Sequence, residues 1–285
     1  MRIRPAQEAD LPACGRIFAV SVADLIRRYR PEQEDQLPVD PQGRRWLHGH
    51  LLRSGAVFIA EDPDQIGFAA AIVRDGVWFL SQLWVLPDRQ GSGAGGALLE
   101  EALAWGRGSS AFSVVASPHP AAQNLYFRSS MLPLWFVLDM AVPDRVIDGG
   151  PDDLEEVEDS DGPWIDELDR EVRGAARPED HAVFRAEATG LVLRRGGDPR
   201  GYVYAWPSGK VGPVAARIAT DIPALLRAGL RLRGGARTLS VPSSNWAALR
   251  ELVALGARPT GSNAFLASRP LGDATRYVLS GGALG

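Results

Sequence analysis

An apolar run, VWFLSQLWVL over residues 77–86, ends at Pro87 and is followed by DRQGSGAGGALL. Gln90, Gly91, Ser92, Gly93, Ala94 and Gly95 thus lie between a strand-like segment and one whose apolar residues, Leu98, Leu99, Ala102 and Leu103, share one helical face. Strand, glycine loop and helix together make a cradle for phosphate. Successive backbone N–H groups converge at a helix N-terminus, where unpaired donors and the helix dipole both favour an anion. Glycine at 91, 93 and 95 leaves no Cβ in the path of a close approach. Gly91, Gly93 and Gly96 also satisfy G-x-G-x-x-G, the fingerprint of a dinucleotide site. That fingerprint begins at the strand end and needs an acid closing the next strand to hold a ribose hydroxyl. Here residues 87–90 intervene, and the next strand closes as VVASPHP with no acid. No G-K-[ST] follows the glycines, which excludes a nucleotide P-loop.

Tyr126 follows in HPAAQNLYFRSSM. A phenol with an ordinary pKa of ~10 is protonated at neutral pH and can donate to an emerging anion. The apolar run carries Ser81 and Gln82 but no carboxylate, so it offers no acid to act as a general base. His119, with an ordinary pKa of ~6.5, could serve as one, and is more simply the start of a helix. His48 and His50 fall on a helix and read as surface residues. Their H-x-H spacing has no further Cys/His cluster beside it, so no metal site is expected. Cys14 sits among apolar-periodic residues and reads as core. As the only cysteine it excludes a disulfide within the chain.

The elements that must position these residues read as βααβββαβαβ over the first half, an α/β unit on a mixed sheet. A strand at residues 2–5 precedes a helix over 11–28, with Asp10 as its N-cap and Pro12 in its first turn. A second helix ends at Gly55, and AVFIAED and QIGFAAAIVRDG form paired strands before the central one. A helix over 94–107, the strand AFSVVAS, a helix over 121–130 and the strand LWFVLDMAV complete the unit.

The chain also repeats itself. Arg2 and Asp10 can be laid on Arg145 and Asp153, Gly55 on Gly190, Ile66 on Arg200, Asp75 on Ser208, Ala97 on Ala224, and His119 on Asn245. Between the central strand and the helix at Ala97 the offset drops from 133 to 127, which removes the glycine loop from the second copy. Two domains follow, residues 1–143 and 144–285. Residues 142–162 join them and carry nine carboxylates, Asp152 among them, which read as a solvated linker and helix start.

Gln90-x-x-Gly93-x-Gly95 after a strand and a proline resembles the motif of the GNAT superfamily of N-acetyltransferases, as does the βααβββαβαβ order. HPAAQNLYFRSSM is similar to the family's N-x-x-A-x-x-L-Y-x-x-x-G segment, with His119 at the Asn position, Ala122 at Ala, Leu125 and Tyr126 at Leu-Tyr, and Ser130 at Gly. The resemblance implies two tandem GNAT-like units, each a mixed β-sheet flanked by helices, the second degenerate. It implies acetyl-CoA as co-substrate, with its pyrophosphate on the backbone of residues 90–95 and Arg89 assisting. It also implies that the central strand splays from its neighbour, so that the amides of Leu83, Trp84 and Val85 meet the pantetheine arm and the thioester. Tyr126 is implied as the general acid, and a small-molecule or peptide amine as the acceptor, attacking directly. The second unit lacks Q-x-x-G-x-G and carries Leu252 in place of Tyr126, while keeping Asn245, Ala248 and Gly256. Three other readings stay open: a coenzyme A-binding regulatory protein without turnover, an NAD-type oxidoreductase using Gly91, Gly93 and Gly96, and a scaffold whose glycine loop is only a turn.

Composition bounds the rest. With 285 residues the chain suits two domains, and 45% hydrophobic with 23% charged residues is ordinary for a folded protein. A net charge of −4 argues against nucleic acid as a partner. Of 31 basic residues only Lys210 is a lysine, which reads as a compositional bias toward arginine. No apolar run approaches the ~20 residues of a spanning helix, and MRIRPAQEAD has no signal-peptide core, so a cytoplasmic protein without membrane contact is expected. Composition is silent on the oligomeric state.

Overall fold

The computed structural model describes residues 1–31, 40, 43–151, 153–232 and 234–285. They form two compact units, Met1–Leu132 and Pro133–Gly285. In the first, β1 (Arg2–Pro5), α1 (Leu11–Tyr29), α2 (Arg45–Ser54), β2 (Ala56–Glu61), β3 (Gln65–Arg74), β4 (Val77–Val85), α3 (Ala94–Trp105), β5 (Ala111–Ala116) and α4 (Pro120–Arg128) follow in order. The strands lie side by side as β1-β2-β3-β4-β5, antiparallel except for the parallel pair β4–β5. β3 is covered on both faces, so its buried run Phe68-Ala69-Ala70-Ala71-Ile72 is continuously apolar instead of alternating. Its alanines leave room for helices. α1 and α2 pack on one face of the sheet, and α3 packs on the other through Leu98, Leu99 and Ala102.

Asp10 does not cap α1 with its side chain. Its own backbone is already helical, and its carboxylate turns back to accept from the Gln7 N–H at 2.8 Å and from Arg4 at 2.7 and 2.8 Å. Gln65 also donates to it, so one buried carboxylate ties β1, the turn before α1 and β3 together. The Arg4 guanidinium holds that carboxyl down at about 2.

The second unit begins with β6 (Leu132–Val142), which pairs antiparallel with β11. The division read from the sequence thus lies at the far end of β6, and the observed one lies at its start. β7 (Leu154–Glu156), α5 (Gly162–Arg173), α6 (Pro178–Glu187), β8 (Thr189–Arg195), β9 (Asp198–Ala205), β10 (Val211–Ala216), α7 (Ile222–Arg231), β11 (Arg237–Pro242), α8 (Trp246–Ala254) and β12 (Arg258–Ala267) repeat the order β1 to β6 element for element. A short β13 (Tyr277–Val278) follows. The strands run β13-β10-β9-β8-β7, with β6 between β12 and β11.

The repeat is real, but its opening alignment is corrected. Asp10 corresponds to Asp161, not Asp153: each carboxylate accepts from the backbone three residues earlier and from a strand arginine, Arg4 or Arg194, and each precedes a helix with proline in its first turn. β1 therefore corresponds to β7. Both lie outside the strongly patterned core, where a short polar strand leaves little signal. The acidic stretch before α5 is partly used by neighbours, Glu155 pairing with Arg194 and Asp159 with Arg185; Asp152 lies outside the described residues. No described helix is long and apolar enough to cross a membrane.

Candidate active site

β4 carries the site because it changes partners along its length. Val77 to Leu80 pair with Ala111 to Val114 of β5, and the pairing ends there. At that point β4 has a bulge: Leu80 pairs with Ala71 and Gln82 with Ala70, which leaves Ser81 as the extra residue. Past the bulge only β3 holds the strand, through Leu83–Ala69, Trp84–Phe68 and Val85–Gly67. Alternate amides on the other edge are left facing an open wedge. Alternation also sorts the side chains. The Val85 side chain packs beside Gly67 and Gly95, on the α3 face, while Gln82 and Trp84 point to the α1 and α2 face, where Trp84 meets Phe18 edge-on at 5.4 Å.

The loop from β4 to α3 is a turn at Pro87–Arg89 followed by residues 90–93. Gly91 and Gly93 have φ of +83° and +90°, which an L side chain resists, and a Cβ at either would meet nothing within 4 Å. Their glycines therefore set the backbone path and leave the space above it open. Gly95 is different: it is helical, and a Cβ would make ordinary contacts with Leu125 and Val85 at 3.7 and 3.8 Å. Gln90 closes the loop onto the strand by donating to the Val85 carbonyl at 3.3 Å, and Ser92 donates to Arg89 at 2.7 Å. The first backbone bond of α3 runs from Ala97 to Gly93, and the N–H groups of Gly91, Ser92, Gly93, Gly95 and Gly96 have no backbone partner among the described residues. Open space above unpaired, convergent donors fits an anionic group. An open groove of about 700 Å³ continues from Gly96 between α3, β5 and α4, past Leu99, Leu103, Phe112 and Arg128.

α4 runs beside the N-terminus of α3, with Leu125 against Gly95 and Gly96. Tyr126, the next residue, is buried, and burial pushes its phenol well above the usual value of 10. Ser130 ends the helix at φ +61°, in the left-handed conformation for which the family motif has Gly. His119 opens α4 without a side-chain cap and lies against Tyr29.

The expectation that His48 and His50 lie at the surface is corrected: both are buried, at 3% and 5% exposure. α2 is amphipathic in the opposite sense to that assumed, since its histidines replace apolar residues on the face toward β3 and β4. His48 bonds Gln82 on the sheet face beneath α2 at 3.1 Å, and His50 packs with Ser54 and Arg74. Burial holds the His48 imidazole down at about 4; the Gln82 bond opposes that shift and the Arg44 charge adds to it. Nothing in the sequence marks the His48–Gln82 pair, because the two residues are far apart in the chain. Cys14 is core, and burial pushes its thiol up to about 12. No group of three metal-ligating side chains occurs among the described residues.

Residues 19–129 match the model of the acetyltransferase (GNAT) family. The match lies within the first unit and spans most of it. Proteins of this family take acetyl-CoA as acetyl donor. The chain is similar over 100% of its length to a putative acetyltransferase from Pyrococcus horikoshii, 95% of which is covered, with a TM-score of 0.83 at 18% identity. It is similar to a GCN5-related N-acetyltransferase from Sphaerobacter thermophilus (TM-score 0.64, 18% identity, 95% of this chain and 97% of that one). A tandem GNAT protein from the clavulanic acid biosynthesis pathway aligns over 94% of this chain and 99% of its own, with a TM-score of 0.60 at 14% identity. Among curated proteins no match was found.

The second GNAT-like unit keeps the wedge and fills it. Val214, Ala215 and Ala216 of β10 pair with Val203, Tyr202 and Gly201 as Leu83, Trp84 and Val85 pair with Ala69, Phe68 and Gly67. On the free edge β13 adds as a strand, Val278 to Val214 and Tyr277 to Ala215, and Leu279 donates to Ser240 of β11. Asn245 caps α8 and also donates to the Tyr277 carbonyl at 3.0 Å. Behind it, Arg177 donates to Asp169 at 2.8 Å, to the Tyr277 hydroxyl at 2.7 Å and to the carbonyls of Leu284 and Gly285. Tyr202 donates to the same Asp169, and His181 faces it at 3.0 Å. Burial alone would raise that carboxyl, but Arg177 and His181 hold it well below the usual range. The loop is also shorter: residues 217–221 separate strand from helix, against 86–93 in the first unit.

Proposed function

We propose that the first unit transfers the acetyl group of acetyl-CoA to a primary amine by direct attack, with both reactants held together. The observation that carries this reading is the wedge past Leu80, opening beside the unpaired N–H groups at the start of α3. The backbone of residues 90–95 would hold the pyrophosphate, and the free edge of Leu83, Trp84 and Val85 the pantetheine arm and the thioester carbonyl, whose oxygen gains charge as the amine adds. The amine nitrogen bonds the carbonyl carbon, the C–S bond breaks with its electron pair on sulfur, and sulfur takes one proton while nitrogen sheds one. Tyr126 supplies the proton to sulfur. Its burial keeps the phenol protonated. One acetyl-CoA binds per chain, since β13 occupies the second wedge. The dinucleotide reading is disfavoured by the turn at Pro87–Arg89, which separates the glycines from the strand end.

Calorimetry with acetyl-CoA, CoA and NAD(H), followed by thiol release over a panel of amines, tests this. The expected result is one acetyl-CoA site, no NAD(H) binding and turnover with at least one amine. Binding of NAD(H) without acetyl-CoA overturns the reading. Acetyl-CoA binding without turnover makes the unit a coenzyme-sensing module.

A further inference from the structure

The chemistry above leaves one proton without a destination. β4 has no carboxylate to take it, but a histidine stands over its face opposite α3. Past the bulge, that face is formed by Gln82 and Trp84 of β4, Phe68 of β3, Phe18 of α1 and His48 of α2. We infer that His48 is the residue that receives the acceptor amine, taking a hydrogen bond from its nitrogen and then its proton. The inference rests on the transferase reading.

Three observations support it. First, the Gln82 bond consumes one ring nitrogen, Nε2, at 3.1 Å, and the other, Nδ1, is not among the buried polar atoms shut off without a partner, so it is open to take a hydrogen bond from a ligand. Second, Gln82 is the first residue after the bulge, so the pair stands where the wedge begins and the thioester carbonyl would lie. Third, Trp84, two residues along on the same face, also has a buried indole N–H with no partner. A buried indole N–H without a partner, beside a histidine that uses one ring nitrogen, marks a place that a polar ligand completes.

Among the described residues, the groups facing His48 are Phe18 from α1, Phe68 from β3 and Gln82 from β4, and the charge beside it is Arg44, the residue before α2. None supplies a negative charge that would keep the ring protonated, so it meets the amine in the neutral form. Gln82 fixes the ring orientation. As the N–C bond forms, the free ring nitrogen takes the proton from the new ammonium, and Tyr126 gives one to the departing sulfur.

The test compares the wild type with His48→Phe and His48→Gln, using the fastest acceptor among butylamine, putrescine, phenylethylamine and alaninamide. Acetyl-CoA affinity is measured on the same samples. Phe suits a pocket already lined by Phe18 and Phe68, and Gln retains an amide for Gln82. Both variants should bind acetyl-CoA within about two-fold of the wild type while kcat falls about 100-fold, the usual scale of general base catalysis. Their kcat should also climb with pH from about 6 to about 8, since only hydroxide remains to take the proton, whereas the wild-type kcat stays level. A fall of under about three-fold, or an even fall with an unchanged pH profile, overturns the role of His48 alone. Failure of the wild type with every amine overturns this role together with the transferase reading.

Discussion

Replacing Gly93 by alanine separates the backbone of the loop from everything else in the site. Gly93 lies at φ +90°, ψ −8°, immediately before α3, and a Cβ there meets nothing within 4 Å. The substitution therefore introduces no clash. Its cost is conformational, about 1–2 kcal/mol for an L-residue held in the left-handed region. The loop is exposed, so it can escape that cost by rotating residue 93, and the N–H groups around it then cease to converge. The loss should appear in acetyl-CoA affinity, as a Kd raised about 5–30-fold by calorimetry, since each 1.4 kcal/mol is about tenfold. Gly95→Ala is the control. That residue is helical with room for a Cβ, so alanine should stabilise α3 by up to about 1 kcal/mol. If Gly95→Ala leaves affinity intact, the ligand does not approach that backbone closely enough to require a glycine. Wild-type affinity in Gly93→Ala would refute the claim that this backbone holds the anion.

Tyr126→Phe should lower turnover by about 10²-fold or more with acetyl-CoA affinity unchanged, and unchanged turnover removes Tyr126 from the mechanism. Asp10 has a depressed carboxyl pKa, so its contribution is complete above the ordinary value near ~4 and is lost as pH falls through about 2. Acid unfolding of Asp10→Asn should accordingly lack a step of about 1–2 kcal/mol between those limits, read by circular dichroism. Arg177→Met strands the buried Asp169 carboxylate and should destabilise the second unit by about 3–5 kcal/mol. That corresponds to a Tm lower by roughly 6–20 °C, with acetyl-CoA binding retained, and calorimetric scanning reads it. A smaller shift would mean that Asp169 takes up a proton at little cost.

The strands and helices of both units were legible because the core patterns are strong: VWFLSQLWV reads as a buried strand, and Leu98, Leu99 and Ala102 mark the packed face of α3. The loop was legible from local rules, since positive φ at Gly91 and Gly93 follows from their type. Three features were not. The His48–Gln82 pair depends on α2 lying over the bulge of β4, and no local pattern encodes that crossing. The role of Asp10 depends on Arg4 and Gln65 reaching it from β1 and β3, which turns an apparent helix cap into a junction of three elements. TRYVLSGGALG carries no local pattern that names the strand it joins. Its β-branched and aromatic residues take the edge of β10 because that edge, without a ligand loop beside it, is vacant.

The strand that closes the second wedge also sets an order of events for the growing chain. β10 and β11 are synthesised well before Tyr277 and Val278, so the nascent second unit carries an unpaired sheet edge at Val214 and Ala215 until those residues emerge. A unit whose last pairing joins distant parts of the chain completes its fold slowly, because the loop must close before the contact repays it. The first unit asks for no such late arrival at β4, where the corresponding edge is left open. In a newly made chain both sheet edges start open, and only the second is later covered by a strand.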